Sequence, residues 1–131
     1  MSRPVHFEVH VDDIERAKNF YAACFGWTYE DWTAFVGSPY VGAMTGGEGE
    51  PGINGALMLR HGPSPVVGQA VNAAVLTVGV DNYDTTEAAI LAAGGQVALP
   101  KAALTGMAWQ GYYLDTEGNI FGIHQPDPEA K

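Results

Sequence analysis

Cysteine is nearly absent: Cys24 is the only one, so no disulfide can form within the chain. A reducing compartment is the natural setting, and a cytoplasmic protein is expected. Basic residues are scarce. Six Lys and Arg against fifteen Asp and Glu leave a formal charge of −9 over 131 residues. Nucleic acid and anionic membrane surfaces both require a positive face, so neither is expected as a partner. No apolar run approaches the ~18 residues of a helical membrane span. Residues Met1 to Glu8 hold no apolar secretory core, so no leader is expected.

Glycine and apolar residues are plentiful. Seventeen Gly and eight Pro imply many turns and short strands rather than a helical bundle. A 47% hydrophobic content is enough for the core of a single domain over 1–131.

Local patterns place the elements. Val5, Phe7, Val9 and Val11 alternate with His6, Glu8 and His10, which is the period of a strand with one apolar face. Asp12 and Glu15 then have capping-box spacing, and Ile14, Ala17, Phe20 or Tyr21, and Cys24 recur at helical spacing. Gly26 stands where a helix end needs a positive φ. A strand is expected over 27–35, a turn-rich loop over 45–52, a strand over 53–60 and a linker over 61–69. The glycine-rich stretch 42–55 lacks a Gly-Lys-Ser/Thr ending. It reads as a mobile loop over a pocket mouth, not a phosphate loop.

The pattern then restarts. A strand over 72–80 leads to a helix capped by Asp81 and stopped by Gly94-Gly95. Strands follow over 96–103, 107–114 and 119–125, with a tight turn at Asp115-Thr116-Glu117-Gly118. At an offset of 69, Val9, Val11, Asp12, Ala23 and Gly26 meet Val78, Val80, Asp81, Ala92 and Gly95. The chain therefore reads as a duplicated βαβββ unit, with modules of about 1–61 and 70–126.

Three stretches resemble the vicinal oxygen chelate superfamily, which holds glyoxalase I, extradiol dioxygenases, fosfomycin-resistance enzymes and bleomycin-resistance proteins. They are His6-Phe7-Glu8-Val9-His10-Val11-Asp12-Asp13 with its helix through Phe20-Tyr21 to Phe25-Gly26-Trp27, then Gly94-Gly95-Gln96-Val97 to Pro100-Lys101, and Asp115 to Gly122. The nearest likeness is to small glyoxalase-like bacterial proteins. The resemblance implies an α+β fold in which two βαβββ modules form a partly closed barrel around a pocket, in a homodimer. It also implies metal ligands on the first and last strands of each module.

Those ligand positions can be checked against the residues. The first falls on His6, and its counterpart in the second module is Val75. Aligning Asn54-Gly55-Ala56-Leu57 with Asn119-Ile120-Phe121-Gly122 puts the last-strand positions on Leu57 and Gly122. Val, Leu and Gly offer no side-chain donor. His6 is thus the one metal-ligand candidate. No cofactor is expected, and a displaced divalent-metal site using His6 is the alternative.

Glu8 and His10 form a candidate acid–base pair, or else two hydrogen-bonding groups at a pocket rim. Further pocket candidates are His6, Met58, Arg60 and Thr77, with Gly122 and His124 sharing one face of the last strand. Arg60 either holds an anionic ligand or is solvated at a strand end. Trp109, Gly111 and Tyr113 share one strand face, and Gln110, Tyr112 and Leu114 share the other. We place Trp109 and Tyr113 in the pocket, with core filling as the alternative. Three functions remain open: a small-molecule binding protein, a lyase, isomerase or dioxygenase, and a subunit whose dimer face matters most.

Overall fold

In the computed structural model, residues 3–71 and 74–131 are described. Strand β1 (Phe7–Val11) buries Val9 and Val11 and exposes Glu8 and His10, as its alternation requires. It starts two residues later than the alternation suggests, and Val5 is 82% exposed. Its parallel partner β4 (Gly55–Leu59) begins opposite Phe7, while Asn54 accepts the Thr45 N–H, so the ladder ends there.

Helix α1 (Ile14–Phe25) is capped by Asp13, whose side chain accepts the Arg16 N–H. The expected cap, Asp12, accepts instead from Arg60 Nε at 3.1 Å and Ser64 Oγ at 2.8 Å. It ties the end of β1 to the segment after β4. Gly26 closes the helix at φ 72°, donating to the Ala22 carbonyl. Ala17, Phe20 and Tyr21 form the buried stripe. Tyr21 stacks on Trp27 at 4.8 Å, and Phe7 meets the same indole at 5.7 Å.

Strand β2 (Thr28–Asp31) ends before the expected residue 35. Asp31 Oδ1 accepts the Thr33 N–H and turns the chain into the single turn α2 (Thr33–Val36), which Gly37 ends at φ 86°. Strand β3 (Tyr40–Met44) follows. It takes Gly42 to Met44 out of the expected glycine loop, and Gly55 belongs to β4. The loop proper spans 45–54. Its Gly47 N–H is held by the Glu50 carboxylate at 2.9 Å, which occupies the group an anion would need. The first sheet has the order β1-β4-β3-β2.

The second half repeats this plan with β5 (Leu76–Gly79), α3 (Tyr83–Ala92), β6 (Gln96–Leu104), β7 (Ala108–Leu114) and β8 (Ile120–Pro126). Asn72 and Ala73, at the start of the expected strand, lie outside the described residues. The cap of α3 is Asn82, not Asp81. Asn82 lies 69 residues after Asp13, so the offset seen in sequence relates the two true caps. The sheet order is β5-β8-β7-β6, again with the first and last strands parallel. Strand pairing among the described residues thus makes two four-stranded sheets and does not close one barrel sheet. The chain divides into compact units Met1–Ser64 and Pro65–Lys131.

Register corrects one sequence alignment. Val9 pairs with Leu57 in the first sheet, and Val78 pairs with Ile123 in the second. Leu57 therefore corresponds to Ile123, and Ala56 to Gly122. The alignment from Asn54 and Asn119 was one residue out, which places a side chain on the opposite face. Among the described residues, no helix is long and apolar enough to cross a membrane.

Candidate functional site

The first sheet has two unlike faces. Val9, Val11 and Leu57 are buried on the α1 side. Register puts Glu8 beside Ala56, Ala56 beside Gly42, Gly42 beside Glu30, and His10 beside Met58 and Tyr40 on the opposite face. Gly42 and Ala56 keep the centre of this face low. A Cβ on Gly42 would lie 2.5 Å from two carbons of the Trp32 indole, so that ring rests directly on the Gly42 backbone.

Three rings form a row. Trp32 and Tyr40 lie 6.3 Å apart at 24°, and His6 and Tyr40 lie 6.4 Å apart at 19°, within the range of offset aromatic contact. Tyr40 is buried, Trp32 is half-buried and His6 is exposed. Each of the two larger rings is tied to a carboxylate. The Tyr40 hydroxyl donates to Glu8 Oε2 at 2.8 Å, and Trp32 Nε1 donates to Glu30 Oε2 at 3.1 Å.

Proton counting assigns the rest. A phenol has one hydrogen, and Glu8 takes it. The contact of 2.8 Å between His6 Nε2 and Tyr40 Oη then has His6 as donor. In neutral His6 this leaves Nδ1 as an acceptor for a ligand. His10 Nε2 lies 3.4 Å from Glu8 Oε1, a longer contact in which the carboxylate can only accept. So His6, Glu8 and His10, which the sequence places on one face, are brought together. Their junction is Tyr40, which sequence reasoning missed.

The Tyr40 hydrogen bond, with smaller help from His10 and His6, holds the Glu8 carboxyl below its ordinary range. Burial, then the Glu8 contact, pushes the Tyr40 phenol up to about 12. At neutral pH the pair is a carboxylate and a neutral phenol. A depressed carboxyl contributes stability above its unfolded value, near 4.5, and loses it as pH falls through the lower folded value. Tyr40→Phe should therefore move the Glu8 midpoint up toward 4.5 in a carboxyl NMR titration. An unmoved midpoint would show that this hydrogen bond is not made in solution.

Arg60 is not solvated at the strand end: its Nε is ion-paired with Asp12 and its side chain is only 15% exposed. Met58 lies on the ring-bearing face opposite Tyr40. Cys24 is half-buried, and burial pushes its thiol up to about 12, which makes it no nucleophile at neutral pH.

The second sheet also has two faces. Thr77 pairs with Gly122, and His124 with both Gly79 and Gln110, so Thr77, Gly122 and His124 share one face as expected. His124 Nδ1 meets Gln110 Oε1 at 2.7 Å. A Cβ on Gly122 would lie 3.0 Å from the Tyr112 ring and 3.1 Å from Thr77 Oγ1. Trp109 and Tyr113 are on the other face, which corrects their placement in a common pocket with His124. Tyr113 is buried under α3, 2.7 Å from the Tyr83 hydroxyl, and donates to Glu87. Trp109 donates to Asp127 Oδ2 at 2.9 Å and stacks under Lys101 Nζ. The aromatic alternative left open by alternation, Tyr112 with Gln110, is the one beside His124.

Residues 3–34 match the family described as bleomycin resistance protein-like N-terminal. No curated protein matches the sequence. Among solved structures, TnmS3, an antibiotic binding protein from Streptomyces sp. CB03234, is 25% identical with a TM-score of 0.69, covering 97% of this chain and 98% of its own. A glyoxalase-related enzyme from Fulvimarina pelagi is 22% identical with a TM-score of 0.68, covering 95% and 88%. The fosfomycin resistance protein FosX from Listeria monocytogenes, in a structure with Mn(II) and 1S,2S-dihydroxypropylphosphonic acid, is 17% identical with a TM-score of 0.71, covering 95% and 90%.

This chain has the glyoxalase/bleomycin-resistance fold. FosX, a neighbour in fold, is seen with Mn(II). Of the positions His6, Val75, Leu57 and Gly122, only His6 has a side-chain donor. The corrected register substitutes Ala56 or Ile123, which have none either. His6 Nε2 is already engaged by Tyr40. Among the described residues, no group of three or more His, Cys, Asp or Glu is placed to hold a metal ion. Those positions therefore do not supply the donor set of such a site.

Proposed function

We propose that this glyoxalase/bleomycin-resistance-like chain binds a small planar organic molecule on the ring-bearing face of its first sheet. The observation that carries this reading is the row His6, Tyr40 and Trp32, with both larger rings held by carboxylates. Stacking supplies the contact area, and His6 Nδ1 supplies a directional acceptor. TnmS3, an antibiotic binding protein 25% identical over nearly the whole chain, supports a binding role. Acridone is a suitable neutral planar probe. It should quench tryptophan fluorescence saturably, and His6→Ala should weaken it about threefold to tenfold, the worth of one hydrogen bond. Absence of saturable quenching by any planar probe would sink the reading.

Acid–base catalysis by Glu8 and His10 is the second reading, and their 3.4 Å contact favours it. The depressed Glu8 carboxyl weighs the other way, because a carboxylate below its ordinary range is a weak base. Turnover lost in Glu8→Gln would reverse this order. We also propose a cytoplasmic homodimer, in keeping with the lone cysteine and the prevalence of twofold assembly. A monomer mass in sedimentation equilibrium would end the dimer proposal.

A further inference from the structure

Resting on the reading that this face takes a planar molecule, we infer that its ligand is a planar organic cation. Tyr40 O–H and Trp32 N–H each donate to a carboxylate, at 2.8 and 3.1 Å. A ring whose polar hydrogen points at an anion becomes more electron-rich, and its face attracts positive charge more strongly. Glu8 and Glu30 themselves lie on the two edge strands of the sheet, on the same face.

Among the described strand residues that register places on that face, none is Lys or Arg. The guanidinium next along the chain, Arg60, is paired with Asp12, whose second oxygen takes Ser64. The whole chain carries −9. A phosphonate or sulfonate would have to settle beside two carboxylates on strands that offer it no Lys or Arg, whereas a cation gains from both carboxylates and from both rings. FosX, which was crystallised with a phosphonic acid, is therefore a neighbour in fold and not a guide to the ligand.

The test is a fluorescence titration of the full chain at pH 8 and low salt with three planar probes: proflavine, a cation, acridone, its neutral analogue, and anthraquinone-2-sulfonate, an anion. Proflavine should bind about tenfold tighter than acridone, the size of a partly exposed cation–π and charge contribution. The sulfonate should bind weakest. Added KCl should shrink the preference, since exposed charges are screened. Glu8→Gln with Glu30→Gln should bring the proflavine-to-acridone ratio down severalfold toward one, because the substitution removes the charges and leaves only the ring faces to favour the cation. Equal binding of proflavine and acridone by the wild type would overturn the charge inference and leave the planar-ligand reading standing. Proflavine binding that survives Trp32→Ala would place the cation elsewhere and overturn it too. No saturable binding by any probe would overturn both.

Discussion

Gly111→Ala should unfold at a much lower urea concentration than wild type, with a loss of about 3 kcal/mol. The new Cβ would lie 1.8 Å from Tyr83 Oη and 3.1 Å from Cζ, a separation that atoms do not tolerate. Tyr83 and Tyr113 are both buried, and their hydroxyls share a 2.7 Å hydrogen bond. Tyr113 also donates to Glu87, and Lys101 Nζ lies 5.1 Å from the Tyr83 ring centre. A close-packed interior leaves the Tyr83 ring no free volume to retreat into. Any shift of α3 that relieves the clash also breaks the phenol pair and leaves a buried hydroxyl unsatisfied. Tyr83→Phe removes the nearest atom, so the double variant Gly111→Ala, Tyr83→Phe should recover part of the loss. Full recovery is not expected, because 3.1 Å to Cζ is still tight. A Gly111→Ala protein as stable as wild type would mean that α3 does not pack on β7 in this register.

Trp32→Ala should weaken a planar probe by about 2 kcal/mol, roughly thirtyfold, while changing stability little. Trp32 is half-buried and projects beyond the end of β2, so its removal opens no core cavity. Gly42→Ala makes the sharper test, because residue 42 lies beneath the indole. A Cβ there must lift the ring, having carbons of it at 2.5 and 2.6 Å. The indole can swing outward at small cost, breaking its hydrogen bond to Glu30 and its alignment with Tyr40. Binding should fall nearly as far as in Trp32→Ala, with the urea midpoint almost unmoved. Unchanged affinity in both variants, measured by the same fluorescence or calorimetric titration, would remove Trp32 from the site.

Much of the site's first strand is legible from local pattern. Period two over residues 5–11 puts His6, Glu8 and His10 on one face, and the structure keeps them together there. Tyr40 was not found, because β3 was hidden in a stretch read for its glycines. A signal was present: Tyr40-Val41-Gly42-Ala43-Met44 is an unbroken non-polar run between Gly37-Ser38-Pro39 and Thr45-Gly46-Gly47. Its two small residues, Gly42 and Ala43, are there because one lies under Trp32 and the other is buried in the sheet.

Local pattern suffices for the features that short-range periodicity controls. These are the faces of β1, the buried stripe of α1, the left-handed stop at Gly26 and the repeat at an offset of 69, because neighbouring residues set helix and strand period and glycine alone relaxes φ at no cost. The tertiary structure decided what depends on partners distant in the chain. Capping-box spacing to Glu15 points to Asp12 as the helix cap, but Arg60, 48 residues away, pairs with Asp12, and the cap is Asp13. Alternation divides Trp109 and Tyr113 from Tyr112 and cannot say which side meets α3; Tyr83 decides it by reaching the space above Gly111. Register against β1 and β5 aligns Leu57 with Ile123, which no local pattern contains, since a strand's neighbours are chosen by non-local hydrogen bonding and packing.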